Sequence, residues 1–274
     1  MLNPLSPTEI DTIMVFDTET TGIPTSTFNP YIIQISFIVA KIERKGKKMI
    51  SFSIESESNY YINIDPSIEI PENITELTGI TREKCNGGVD IVVALTEFYH
   101  KYEKCNYIVA HNIAFDSKMI MIEFERNIKR LQKPLSSPTS DHPITRNSKR
   151  KALILQQTSI ENKCENPYIL FNPLYNRVNK KEVVCTMQSG RDIANIYGTY
   201  KSAKCNHCSV AGPDRTFKKT PKLIELYQKL YPEMLVPTNL HNSLVDTRVC
   251  LLCFLKINYA GVNDVIFDFL NMIE

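Results

Sequence analysis

The sequence predicts an α/β fold in which helices flank one mixed β-sheet. Strand-like segments dominate the first third of the chain, at Thr12–Phe16, Tyr31–Lys41, Lys48–Ser56 and Asn59–Ile64. Helical spacing of apolar residues dominates the rest, with short apolar strands between the helices. Strands first and helices later, with short strands interleaved, are typical of helices packed on a single sheet.

The later elements are predicted from the spacing of apolar residues. A short helical stretch is expected within 66–81, among turn residues. Longer helices are predicted at Asp90–Tyr102, Asp116–Arg130, Leu223–Leu230 and Leu244–Lys256, and short strands at Tyr107–Ala110 and Val183–Met187. Two of these segments carry acids at or near a helix start, which bears on the site below.

Composition excludes a membrane-spanning or disulfide-stabilised protein. The chain has 274 residues, 43% of them hydrophobic, and a net charge of +2, so the overall charge favours no class of partner. No stretch approaches the roughly 18 apolar residues of a membrane helix. The N-terminal residues lack a signal pattern, and the eight cysteines are expected to be reduced thiols. We therefore expect an intracellular protein, cytoplasmic or nuclear, without membrane association.

Residues 126–151 differ in composition from the segments around them. They contain eight Lys or Arg against one Asp, with several Ser and Pro residues. Such blocks are usually solvated loops and less often contact polyanions. We therefore expect one domain over residues 8–258, with a basic, partly flexible insertion at about 131–181.

Two acids stand one residue apart at the end of the first strand. Asp17 and Glu19 lie in MVFDTETTGIP, residues 14–24, where positions two apart share a face of the strand. Two carboxylates that lie so close to each other raise each other's pKa, because like charges repel. Either a cation lies between the two carboxylates or one of them stays protonated.

Two further acids are ambiguous when each is taken alone. Asp116 follows Asn112 and Phe115 at a strand-to-helix junction, where an acid often simply caps the helix. Asp246 follows His241 by five residues on the margin of an apolar helix, and could pair with Arg248 or face solvent. Only the three segments together favour a common site.

In this order the three segments resemble the DEDDh family of 3′–5′ exonucleases, which are DnaQ-like nucleases of the proofreading and repair type. The pattern is Asp-x-Glu-x-Thr-Gly, then Asn-x-x-Phe-Asp, then His-x-x-x-x-Asp, and the resemblance covers roughly residues 10–255. It implies a ribonuclease H-like fold with a mixed five- or six-stranded sheet flanked by helices. It also implies metal-dependent hydrolysis that releases nucleoside 5′-monophosphates from the 3′ end of a nucleic acid, with DNA favoured.

The resemblance assigns a role to each matching residue. His241 matches the general base. Four acids match the metal ligands: Asp17, Glu19, Asp116 and Asp246. Matches to substrate contacts are Thr20, Thr21, Gly22, Ile23 and Asn112. The acids imply two Mg²⁺ ions, for which Mn²⁺ can substitute, about 4 Å apart around the attacking water and the leaving 3′ oxygen. Ser243 departs from the Ala of many relatives, outside the ligand set.

The implied partners are single-stranded or frayed 3′ ends of DNA and a polymerase acting in trans. An exoribonuclease is the alternative, because the choice depends on contacts to the 2′-hydroxyl that no motif reveals. A further alternative is an inactive exonuclease fold that binds nucleic acid or docks a polymerase. All five positions are filled, which argues against it.

One cysteine motif stands apart from the acids. Cys205 and Cys208 form a C-x-x-C that could hold zinc with Cys185 or His207 as partners. Loop cysteines without metal are the favoured interpretation, because a second C-x-x-C, Cys250 to Cys253, lies in an apolar segment.

Overall fold

The computed structural model describes residues 7–131, 167–200, 214–237, 239–263, 265–266 and 269. A five-stranded mixed sheet of order β3-β2-β1-β4-β5 forms its centre. Its strands are β1 (Glu9–Thr20), β2 (Ile32–Lys45), β3 (Lys48–Tyr61), β4 (Tyr107–Ala110) and β5 (Glu182–Cys185). The first three pair antiparallel, whereas β4 runs parallel to β1 and β5 parallel to β4. The predicted mixed sheet is confirmed.

Helices pack on both faces of this sheet. They are α1 (Glu72–Thr78), α2 (Arg82–Asn86), α3 (Ile91–Lys104), α4 (Ile113–Leu131), α5 (Pro173–Val178), α6 (Thr186–Ser189), α7 (Arg191–Ala194), α8 (Leu223–Leu230) and α9 (Ser243–Asn258). A turn of 3₁₀-helix covers Pro167–Ile169, and a separate hairpin pairs β6 (Tyr197–Tyr200) with β7 (Arg215–Lys218). Among the described residues, no helix is both long and apolar enough to span a membrane.

The alternation of β1 divides the core into two clusters. Met14 and Phe16 pack with buried residues of α3 and α4. Ile13 and Val15 point to the other face, where they pack with buried residues of α8 and α9. Because side chains alternate along a strand, position 17 continues the row that faces α9, and Thr18 faces α4. The strand therefore presents its polar end to two helices at once.

Several elements differ from the predictions, most of them by a few residues at their ends. Lys48–Ser56 and Asn59–Ile64 were expected as two strands, but one strand, β3, runs through Tyr61. The polar residues between them lie on an edge strand, where alternate side chains face solvent. The strand expected at Val183–Met187 ends at Cys185, because α6 begins at Thr186. The hairpin of β6 and β7 was not predicted at all.

Part of the expected insertion is folded against the core. Residues 132–166 and the pair Cys205 and Cys208 lie outside the described residues, so the flexible insertion and the zinc site stay predictions. In the described part, the ring of Phe171 lies 5.8 Å from that of Phe16 and 5.2 Å from that of Tyr102, centroid to centroid. The five cysteines in the described residues are free thiols.

Candidate active site

Three carboxylates meet at the end of β1. Asp17 and Glu19 come from the strand itself, and Asp246 comes from the first turn of α9. One oxygen from each of the three side chains lies within 4.8 Å of the others. The two positions on β1 share a face, and α9 packs across that face with its N-terminal end at the carboxylates. The structure thus brings together three of the four predicted metal ligands directly.

The fourth acid, Asp116, approaches from the other side of β1. It lies in the first turn of α4 and is only 2% exposed. The backbone N–H and the hydroxyl of Thr18 both donate to its Oδ1, at 3.1 and 2.8 Å. Since Thr18 stands between Asp17 and Glu19, these hydrogen bonds hold the fourth carboxylate against the strand that carries the first two.

The four acids perturb one another strongly. Burial raises the pKa of Asp17 well above its usual value, and the charges of Asp116, Asp246 and Glu19 raise it further. The pKa of Glu19 is raised to about 8, mainly by burial and also by the charges of Asp246 and Asp116. The pKa of Asp116 rises to about 7 and that of Asp246 to about 6, in both cases mainly through burial. Without a cation, the group therefore retains protons near neutral pH.

This donor set suits a divalent cation. Carboxylate oxygens are the ligands that hard cations such as Mg²⁺ prefer. Buried acids that repel one another are stabilised when a cation takes the place of their protons. Asp17, Glu19 and Asp246 could hold such an ion between them, with Asp116 beside the same strand residues.

His241 lies in a turn directly before α9. Its side chain is exposed, and its backbone has a φ of 66°, an uncommon conformation for a residue other than glycine. Its backbone N–H donates to Asp246 Oδ2 at 3.2 Å. Asn242 follows as the N-cap of α9, where its side chain accepts from the N–H of Leu244. The candidate base and the candidate ligand Asp246 are therefore joined through one short turn.

The predicted substrate contacts lie on two loops. The Thr20 hydroxyl donates to the carbonyl of Gly22 at 2.7 Å, and Thr21 exchanges two hydrogen bonds with the backbone of Tyr31. Ile23 is 75% exposed. Asn112 is also exposed, with a φ of 67°, directly before α4. Both loops leave the same edge of the sheet as the acids, and the five residues remain predicted contacts.

Three polar residues near the acids were missed by sequence reasoning. Thr18 carries no signal beyond its place between the acids. His111 is neutral: burial lowers its pKa to about 4, and its ring nitrogens contact Thr186 Oγ1 and the carbonyl of Pro221 at 3.0 and 3.1 Å. Gln34 is fully buried in β2, between the apolar residues Ile33 and Ile35. A polar residue inside the run IIQISFIVA indicates a buried side chain that needs a hydrogen-bond partner.

Comparison with known proteins shows the family of the chain. The exonuclease family model named for RNase T matches residues 14–170, which is more than half of the chain. The chain is 36% identical over 131 residues to the PolC-type DNA polymerase III of Clostridium perfringens, covering 48% of this chain and 8% of that protein. It is 34% identical over 126 residues to the PolC-type polymerase of Mycoplasma genitalium, covering 45% of this chain and 8% of that protein. The chain thus spans less than a tenth of the length of these curated relatives.

Solved structures agree in fold. Exonuclease I of E. coli in complex with single-stranded DNA superposes with a TM-score of 0.51 at 12% identity, covering 96% of this chain and 43% of that chain. The complex of the same enzyme with a dA16 oligonucleotide superposes with a TM-score of 0.50 at 12% identity, covering 96% of this chain and 42% of that chain. This likeness confirms the ribonuclease H-like architecture expected from the motifs. With the family model matching more than half of its length, the chain belongs to the DnaQ-like exonuclease family.

Proposed function

We propose that this protein is a metal-dependent 3′–5′ exonuclease that releases nucleoside 5′-monophosphates from DNA. The observation that carries the proposal is the convergence of acids from three distant segments on one end of β1. Three of the carboxylates have oxygens within 4.8 Å of one another, and Thr18 ties the fourth to the same strand. Raised pKa values of several carboxyl groups in one place are typical of functional sites and support the proposal.

Each residue of the site has a part in this reaction. Asp17, Glu19, Asp116 and Asp246 would hold two Mg²⁺ or Mn²⁺ ions, which when bound stabilise charge on the scissile phosphate and lower the pKa of water. His241 takes the proton of the attacking water as general base, since histidine titrates near neutral pH. Its exposed position in a turn gives the imidazole access to solvent and substrate.

The turn after β1 is the proposed seat of the 3′-terminal nucleotide. Thr20, Thr21 and Gly22 present backbone groups there, and the exposed Ile23 offers an apolar surface to the terminal base. Asn112 approaches from the junction before α4. Hydrogen bonds between Thr21 and Tyr31 hold the turn in a fixed shape, which suits a positioning role.

DNA is the favoured polymer for two reasons. The relatives matched in sequence are named as DNA polymerases, and the exonuclease I structures that share the fold are complexes with single-stranded DNA. A polymerase partner acting in trans has support only from the names of those relatives. An exoribonuclease is the alternative that the test below separates.

The test uses pairs of oligonucleotides that differ only in the 2′-hydroxyl. A 3′-labelled strand is expected to release labelled nucleoside 5′-monophosphate first, and a 5′-labelled strand to shorten stepwise. Both reactions should need Mg²⁺ or Mn²⁺ and stop with chelator. Faster hydrolysis of RNA would favour the exoribonuclease, and release of label from the 5′ end first would contradict the polarity.

Two variants serve as controls for this assay. Asp17→Asn removes one carboxylate from the cluster and should abolish activity. Glu76→Gln removes an exposed carboxylate from α1 and should leave activity unchanged. Absence of hydrolysis by the wild-type protein with metal present, together with retained binding of the oligonucleotides, would favour the inactive nucleic-acid-binding module.

A further inference from the structure

Two buried polar residues of β2 lie directly opposite the acids of β1. Gln34 is paired with Glu19 and Ser36 with Asp17 across the antiparallel ladder. Directly opposite residues point to the same face, so these side chains lie under the N-terminal end of α9. Both residues are 0% exposed. Buried polar groups need hydrogen-bond partners, and theirs lie on α9 and β3.

The carboxamide of Gln34 contacts both residues that follow His241. Its Oε1 accepts from the backbone N–H of Ser243 at 3.4 Å, and its Nε2 lies 3.5 Å from the Asn242 side-chain oxygen. The same Nε2 donates to Asn59 Oδ1 on β3 at 2.9 Å, which fixes the orientation of the amide. One side chain of the sheet therefore holds the beginning of α9.

A second contact supports the first. The hydroxyls of Ser36 and Ser243 lie 2.6 Å apart, and Ser36 also donates to Asn59 Oδ1 at 3.0 Å. Ser243, the first residue of α9, is thus tied to β2 through its backbone N–H and through its hydroxyl.

The turn before α9 depends on such support. His241 holds a φ of 66°, and its backbone N–H donates to the side chain of Asp246. Residues in sparsely populated backbone conformations persist where the surrounding structure holds them. The residues that follow His241 are fixed by Gln34, whereas the His241 side chain is exposed. The contacts of Gln34 therefore lie one and two residues after His241.

We propose that Gln34 is a positioning residue for His241, acting through Asn242 and Ser243 at the start of α9. The inference rests on the proposed function, because it needs a reaction in which His241 takes part. In this role Gln34 contacts neither the substrate nor the carboxylate oxygens that would bind metal. It holds the turn so that the imidazole reaches the site.

A double-mutant cycle on kcat tests this role. Gln34→Met, which keeps the length of the side chain and removes its amide, is expected to lower kcat about 10-fold, since a small misplacement of a catalytic group is costly. His241→Ala should lower kcat about 100-fold. If Gln34 acts through His241, the double variant matches His241→Ala within about twofold. The Mn²⁺ affinity of Gln34→Met, measured by calorimetry, should equal that of the wild type within about twofold.

Other outcomes would overturn the proposal. Additive losses in the cycle, an unchanged kcat, or a weakened Mn²⁺ affinity would assign Gln34 a role in folding or in the metal ligands instead. Gln228→Met, on the exposed side of α8, is the matched control and should leave kcat unchanged. Should Gln34→Met not fold, Gln34→Leu, which also removes the amide without adding a charge, takes its place in the cycle with the same readings. A wild-type protein without activity would overturn the proposed function as well, whereas an active one with additive losses would overturn only this role.

Discussion

Replacement of Glu19 by glutamine is expected to have opposite effects on the stability of the metal-free and the metal-bound protein. Without metal, Glu19 is a carboxylate held among acids by the fold, and burial and the charges of Asp246 and Asp116 raise its pKa to about 8. Glutamine removes the charge and keeps the shape. With metal, the same carboxylate is a candidate ligand, so its loss should weaken binding.

The magnitude follows from the distance between the carboxylates. Oxygens of Glu19 and Asp246 lie within 4.8 Å. At that separation two charges repel by about 3.5 kcal/mol with an effective dielectric constant of about 20. The unfolded chain does not bear this cost. We therefore expect Glu19→Gln to raise the free energy of unfolding of the metal-free protein by about 3 kcal/mol at about pH 8.5.

The effect should depend on pH with a definite sign. An acid whose pKa is raised on folding leaves stability intact below its unfolded pKa and lowers stability as the pH rises through its folded pKa. For Glu19 that window runs from the usual 4.5 to about 8. The gain from Glu19→Gln should therefore shrink to about 1 kcal/mol at about pH 5.5.

Thermal unfolding followed by circular dichroism, with chelator and with Mn²⁺, measures both effects. One kcal/mol corresponds to about 2–4 °C in Tm for a domain of this size, so the metal-free variant should melt about 6 °C or more above the wild type at about pH 8.5. Saturating metal stabilises the wild type by about 3 kcal/mol at a hundredfold excess over Kd, and this gain should be lost in the variant.

The reasoning is refuted if Glu19→Gln destabilises the metal-free protein at high pH, or if its effect is the same at both pH values. Glu76→Gln again serves as the matched control, because its carboxylate is exposed on α1 and is not one of the clustered acids. That variant should change neither the Tm of the metal-free protein nor the stabilisation by Mn²⁺.

Three further predictions address the supports of the site and of the core. Thr18→Val removes the 2.8 Å hydrogen bond to Asp116 Oδ1 and should weaken Mn²⁺ affinity about 10-fold by calorimetry; unchanged affinity would contradict the ligand role of Asp116. Lys181→Met removes an ammonium group that donates to the carbonyls of Tyr102, Glu103 and Cys105, and should cost about 2 kcal/mol in urea unfolding. Phe171→Ala should cost about 3 kcal/mol in the same assay, since its ring packs on three core aromatic rings; a cost near zero would show that this segment does not belong to the core.

Much of the fold was predictable because its elements are locally periodic. The strand Tyr107–Ala110 and the helix Leu223–Leu230 match their predicted bounds, since short apolar runs and the helical spacing of Leu and Tyr are visible in the sequence. β3 was divided in two because its serines and glutamates resemble a turn, whereas on an edge strand they face solvent. The hairpin of β6 and β7 was missed because each strand has only four residues.

The members of the candidate site were predicted from motifs, but their supports were not. Each acid stands in a recognisable local pattern, and the resemblance to a nuclease family placed all four in one site. The contacts of Thr18 with Asp116 and of Gln34 with Ser243 join residues separated by 98 and 209 positions in the chain. No local pattern records which distant segment a buried hydroxyl or amide will meet.

The sequence by itself determined the class of fold, the pair of acids sharing one face of β1, and the family. These depend on alternation, helical spacing and short motifs, all of which act between near neighbours. Only the tertiary structure decided that the carboxylates of α4 and α9 reach that pair, and that Gln34 contacts Asn242 and Ser243, which follow His241. The physical reason is that hydrophobic packing of α4 and α9 on opposite faces of the sheet sets those distances, and packing is a property of the assembled core.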